Sequence, residues 1–115
     1  MAERRLKYFG WGREGEGMTP EDEAFALQRL GKLFGMERFE DMPTPRLEEI
    51  NLGVPRVTPP ASLAAICSTE LYDRVVHTYG KAYPDYVRGL NGDYAPAPDV
   101  VAYPRSDAEV AAVLD

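Results

Sequence analysis

Apolar residues at Leu27, Leu30, Leu33 and Phe34 recur at helical spacing, and the polar positions around them mark out the first element. Thr19 is placed to cap it, Pro20 suits the first helical position, and Glu21, Asp22 and Glu23 sit at the positive end of the helix dipole. Gly35 supplies the stop. Before it, residues 1–18 mix aromatics with glycines and charge, Tyr8-Phe9-Gly10-Trp11-Gly12 running into a charged stretch to Gly17. Such a segment has little to bury against itself and is expected to be an arm lying on something else. Prolines 43, 45, 55, 59 and 60 remove amide donors and push their predecessors toward extended backbone, so residues 42–60 read as a connector with one short turn at residues 47–52.

The second half alternates short helical patterns with turns. Residues 62–66 predict a short helix, and residues 69–79 a second, with Leu71, Val75, Val76 and Tyr79 on one face and Gly80 as terminator. Residues 83–90 add a further turn or two, closed by Asn91-Gly92. Asp99-Val100-Val101-Ala102-Tyr103 reads as a buried strand ended by Pro104 and Arg105. Ser106-Asp107-Ala108-Glu109 is a capping-box pattern that opens a helix with Val110, Val113 and Leu114 on its apolar face. Strand then helix is two-thirds of a βαβ unit, whose rule demands a parallel partner strand after the helix. None follows before Asp115. A lone buried strand would leave main-chain groups unpaired at about 1 to 3 kcal/mol each. The pattern therefore predicts the N-terminal part of a longer protein, with an α+β, mainly helical fold.

Composition narrows the classes. In 115 residues, 13 Lys and Arg face 19 Asp and Glu, a formal charge of -6 that would repel a phosphate backbone, so no nucleic-acid partner is expected. The single cysteine, Cys67, cannot form an internal disulfide, and with the single His77 it falls short of a zinc site. No apolar run approaches the roughly 18 residues of a membrane span, and Met1-Ala2-Glu3-Arg4-Arg5 is not followed by the apolar core of an export signal. The expected compartment is the cytoplasm.

Several motifs carry a chemical reading and a plainer one. Gly10-Trp11-Gly12-Arg13-Glu14-Gly15 matches the dinucleotide-loop spelling, but no helix opens at its end and Glu14 and Glu16 would repel pyrophosphate. Cys67 and His77 can be drawn as nucleophile and base, yet nothing in the sequence brings them together, and a small buried thiol and a hydrogen-bonded structural histidine account for both. Tyr72, Tyr79, Tyr83, Tyr86, Tyr94 and Tyr103 can stack on a flat cofactor, and packing at half-buried surfaces is the favoured reading. Residues 21–23 form a solvated helix start and not a metal cage. No metal ligands and no catalytic residues are assigned.

Three segments resemble FAD-linked oxidases of the vanillyl-alcohol oxidase and p-cresol methylhydroxylase class, in the alkyldihydroxyacetonephosphate synthase-like branch. They are Lys7-Tyr8-Phe9-Gly10-Trp11-Gly12, Asp73-Arg74-Val75 through Tyr79-Gly80-Lys81, and Pro98-Asp99-Val100-Val101 with Pro104 and Glu109-Val110. The last is shared across the class, whereas the first two are more specific to the branch. The family often has His just before the central glycine, where this chain has Tyr79 and carries His77 two residues earlier. The resemblance implies an N-terminal arm and helical extension over residues 1–97 and the start of a PCMH-type FAD-binding domain over residues 98–115. It implies FAD as cofactor of the full-length parent, with the main glycine-rich loop and the catalytic groups beyond Asp115. The parent would act on a small-molecule substrate by flavin redox or flavin-adduct chemistry, and this piece, inactive alone, would pack on the rest of its own FAD-binding and cap domains; a homodimer is compatible with it. Tyr103 and Pro104, at the carboxyl end of the strand, are the residues expected to approach FAD, because ligands of α/β sheets sit outside the carboxyl ends of strands. The rival reading is a self-contained small helical interaction module without cofactor.

Overall fold

The structure is a computed structural model that describes residues 3–115. Its contacts divide the chain into two units, the first ending at Pro43 and the second spanning Thr44–Asp115.

The first unit opens on a hairpin. Leu6 and Arg13 pair as an antiparallel bridge, with Lys7 N donating to Gly12 O (3.0 Å) and Glu14 N to Arg5 O (3.0 Å). Gly10 and Gly12 take φ of +92° and +87°, the left-handed region where a side chain is strained, and so let the chain reverse around Trp11. Arg5 pairs with Glu14 at 2.6 Å and Arg13 with Glu3 at 2.6 Å, across exposed surface. As expected, the segment buries nothing deeply; the reversal itself was not legible in a segment read only as an arm.

Helix α1, Pro20–Phe34, starts and stops where the pattern placed it. Thr19 accepts from Asp22 N, the Asp22 carboxylate returns to Thr19 N, and Gly35 ends the helix at φ +65°. Its apolar stripe stays open: Leu33 and Phe34 remain 74% and 64% exposed. The chain doubles back beyond it, Met36 N donating to Gly31 O, so close that a Cβ on Gly31 would meet Met36 O at 2.7 Å.

The buried hydrophobic residues, Ile50, Ile66, Val75, Tyr94 and Val101, all belong to the second unit. Each fully buried side chain of this kind contributes about 1.5 to 3 kcal/mol. Two 3-10 turns, Leu47–Glu49 and Ala61–Ile66, deliver Ile50 and Ile66 to that core. The chain continues through β1 (Cys67–Ser68), α2 (Leu71–Val76), α3 (Tyr83–Leu90), β2 (Val101–Ala102) and α4 (Asp107–Leu114). An α+β, mainly helical architecture results.

Three expectations are corrected here. The strand is not residues 99–103 but Val101–Ala102, and it is not alone: it pairs antiparallel with β1, Cys67 opposite Ala102 and Ser68 opposite Val101. Tyr103 N donates to Ile66 O at 2.8 Å and extends the ladder by one bond. Asp99 leaves the strand because its carboxylate is bound by Arg56, and Pro104 has no amide to prolong it. The helix expected over residues 69–79 covers only Leu71–Val76, because Thr78 folds back, its hydroxyl donating to Arg74 O and its amide to Val75 O. The capping box at Ser106 is half formed: Ser106 Oγ accepts from Glu109 N, but the Glu109 carboxylate accepts from Arg105 N instead of Ser106 N. Helix α4 leaves Val110, Val113 and Leu114 at 43%, 39% and 81% exposure.

Candidate functional site at the carboxyl end of β2

Antiparallel pairing of β1 and β2 sets Ser68 opposite Val101 and Tyr103 beside Ile66, and the side chains of Ser68 and Tyr103 converge on Asp73 of α2. Ser68 and Tyr103 each donate a hydroxyl proton to its carboxylate, Ser68 to Oδ2 in a short bond and Tyr103 to Oδ1 at 2.6 Å. His77, one turn along, puts Nδ1 2.7 Å from the Asp73 carbonyl. A carbonyl only accepts, so Nδ1 carries the proton. The His77 ring then meets Tyr103 edge-on, centroids 5.6 Å apart at 81°. Burial first, then the bond to Asp73 and its negative charge, push the Tyr103 hydroxyl up to about 12.

Around this ring lies a cleft of about 390 Å³ lined by Ala65, Ile66, Cys67, Tyr103 and Arg105. Tyr103 is held at its hydroxyl, its ring and its amide, yet stays 45% exposed. Pro104 is exposed and lies outside the lining. Cys67 lines the cleft and sits in the ladder, while His77 belongs to the Asp73 cluster; no hydrogen bond joins the two among the described residues. The nucleophile-base reading of Cys67 and His77, already disfavoured on the sequence, has no hydrogen bond to support it among the described residues.

A second cluster supports the first from behind. Arg74, 5% exposed, donates to Pro98 O at 2.8 Å and Gly53 O at 3.0 Å and lies 3.7 Å from Asp99. Arg56 reaches Asp99 from solvent at 3.0 Å, and its side-chain and backbone bonds hold the Asp99 carboxyl below the usual range. Arg74 thereby ties the connector, α2 and the approach to β2 into one frame. Sequence reasoning named Arg74 only within a matched segment and missed Asp73, Ser68 and Asp99 as a constellation. The one available signal was Asp73-Arg74 facing a Pro-Asp step before a strand, which pairs opposite charges at long range.

The tyrosines divide. Tyr94 is buried and packs on Tyr79, centroids 5.9 Å apart, with the Arg88 guanidinium 5.3 Å over the Tyr79 ring. Burial pushes the hydroxyls of Tyr79 and Tyr86 up. Tyr83 is 81% exposed. Packing accounts for Tyr79 and Tyr94, as expected, and Tyr103 lines the cleft at the end of β2.

Ala65, Ile66, Cys67, Tyr103 and Arg105 line the cleft at the strand's carboxyl end, and the glycine-rich hairpin of the first unit does not form a pyrophosphate cradle. The glycine-rich hairpin uses its main chain internally, Arg13 N donating to the Glu16 carboxylate at 2.7 Å, and α1 begins only at Pro20. No helix among the described residues is long and apolar enough to cross a membrane.

No known family and no curated protein matches the sequence. Among solved structures, an alkyldihydroxyacetonephosphate synthase superposes with a TM-score of 0.73 over 95% of this chain, at 23% identity. The chain spans 25% of that enzyme's length. At this identity the likeness establishes the fold, and it is the fold of the branch that the Gly-Trp-Gly, Asp-Arg-Val and Pro-Asp-Val-Val segments resemble.

Proposed function

We propose that this chain is the N-terminal scaffold of an FAD-dependent enzyme related to the alkyldihydroxyacetonephosphate synthases, with flavin redox or flavin-adduct chemistry supplied by the parent protein. The observation that carries the reading is the agreement of two independent comparisons. Residue motifs in three segments point to the branch, and the backbone, at only 23% identity, follows a synthase across 95% of the chain. In this reading residues 98–115 begin the PCMH-type domain, and residues 1–97 brace it. Arg74 fixes the approach to β2, Asp73 fixes Tyr103, and the open apolar faces of α1 and α4 meet the FAD-binding and cap domains of the same protein. FAD when bound supplies the electron acceptance. This chain's residues orient and shield, and the chain alone is inactive. A cytoplasmic setting suits its free thiol and acidic surface.

The test is the protein extended by the polypeptide that follows in its gene. It is expected to purify yellow, with visible flavin absorbance that a reductant bleaches. A folded, colourless extended protein that takes up no FAD overturns the reading and leaves the interaction module in its place.

A further inference from the structure

Helix α1 carries a second face that its apolar stripe does not explain. At about 100° per residue, Phe25 lies about 160° round the helix from Leu27 and opposite Phe34. It stands 60% exposed and lines a groove of about 650 Å³ with Gln28, Arg29, Leu30, Lys32 and Leu33. A phenylalanine left in solvent adds nothing to the helix, where alanine or lysine forms the turn more readily. Its neighbours are ordered by charge. Asp22, Phe25, Arg29 and Lys32 follow at spacings of three, four and three, the spacing of a coiled-coil seam, with the acid at the amino end and the cations at the carboxyl end. Both bonds that the Asp22 carboxylate accepts from Thr19 end on Oδ2, so Oδ1 takes no part in the cap. Arg29 lies 5.7 Å over the Phe25 ring, and neither Arg29 nor Lys32 has a carboxylate partner among the described residues.

Run in the reverse direction, this seam is its own complement. In an antiparallel pair Asp22 stands opposite the partner's Lys32 and Phe25 opposite the partner's Arg29, and one register satisfies both, because each pair of positions is centred on residue 27. We infer that two copies of this chain associate through this face of α1, antiparallel about a two-fold axis level with residue 27. Each contact is then made twice. Arg29 comes between two phenylalanine rings, Lys32 gains a carboxylate, and the two helix dipoles run opposite ways. A parallel pair would instead set Asp22 against Asp22 and Lys32 against Lys32. A foreign helix would need the same order of charges, which the second copy already has. The stripe through Leu27 and Phe34 is left to the other domains of the parent, so the pairing goes beyond the scaffold reading and does not depend on it. A seam of four residues buries far less than the about 1,200 Å² of a stable interface, so the dimer is weak, with a dissociation constant of about 0.1 mM.

The test is sedimentation equilibrium of the 115-residue chain, fitted for a monomer–dimer step, with circular dichroism checking that each variant keeps its helix content. The unaltered chain is expected to dimerise with the constant above. Phe25→Ala and Lys32→Glu are each expected to weaken the dimer about tenfold, the first by removing the ring and the second by setting like charges opposite one another at two places. Phe34→Ser, on the opposite face, is expected to leave this step unchanged, which separates it from open-ended association through the stripe. Asp22→Lys is expected to weaken self-pairing as well, and an equimolar mixture with Lys32→Glu to restore a heterodimer close to the original strength, since Asp22 then meets Lys32 and Lys meets Glu across the pair. Phe25→Ala and Lys32→Glu leave the cap untouched, and they carry the test if Asp22→Lys frays the first turn. A chain still monomeric about tenfold above that constant overturns the inference. So does a dimer indifferent to Phe25→Ala or Lys32→Glu, a dimer lost in Phe34→Ser, or a mixture of folded charge variants no stronger than its components. Flavin uptake by the extended protein is read separately, so either result there leaves this one standing or falling by itself.

Discussion

Asp73 holds three groups from one position: its carboxylate accepts from Ser68 and Tyr103, and its carbonyl from His77. Replacing Tyr103 with Phe removes one charge-assisted bond at a half-exposed site and is expected to cost about 1 kcal/mol, read as a lower urea midpoint at unchanged slope. The pH dependence follows from the sign. The folded hydroxyl titrates near 12 against about 10 unperturbed, so its contribution is fully present below pH 10 and is lost as the pH rises from there toward 12. Ultraviolet titration of wild type against Tyr103→Phe checks this, with one late-ionising tyrosine absent from the variant. For Asp99 the sign reverses: its carboxyl is held down by Arg56, so its contribution is present above the ordinary carboxylate range and fades as the pH falls through it. Arg74→Ala is the more damaging change. It removes a buried cation from two carbonyls and from Asp99, and is expected to cost about 3 kcal/mol or more, with Arg74→Lys recovering little because an ammonium cannot span the same acceptors.

Among elements, legibility followed the range of the interactions that make them. Helix α1 was readable because Thr19, Pro20, Asp22 and Gly35 specify it within 17 residues of chain, and α3 was readable for the same local reasons. The strand pair was not. Cys67–Ser68 has neither length nor alternation, and it becomes a strand only because Val101–Ala102 returns to it. The site inherits that difficulty: Asp73 and Tyr103 are 30 residues apart, and no local pattern announces their contact. The rule placing ligands at strand carboxyl ends pointed to Tyr103 and Pro104 together; Tyr103 lines the cleft there and Pro104 does not. Local specification also makes a local prediction. Gly31→Ala raises helix propensity by about 1 kcal/mol, yet its Cβ would lie 2.7 Å from Met36 O, so circular dichroism melts are expected to show net destabilisation of the turn after α1.

On the scale of the whole chain, the distribution of apolar surface is the telling feature. The buried hydrophobic residues lie in the second unit, while Leu33 and Phe34 of α1 and Leu114 of α4 stand 64% to 81% exposed. Exposed stripes of this kind favour association. The 115-residue chain is expected to self-associate on sizing columns as concentration rises, and extension by downstream sequence is expected to suppress it. A monomer at all concentrations that melts cooperatively favours the interaction module. In the scaffold proposed, the brace formed by residues 1–97 is what retains the flavin. The most direct test of that brace is the flavin bound per chain by the extended protein, measured with and without residues 3–97. The account predicts about one FAD per chain in the complete protein and loss of most of it on deletion. Equal retention after deletion, or no FAD in either, contradicts it.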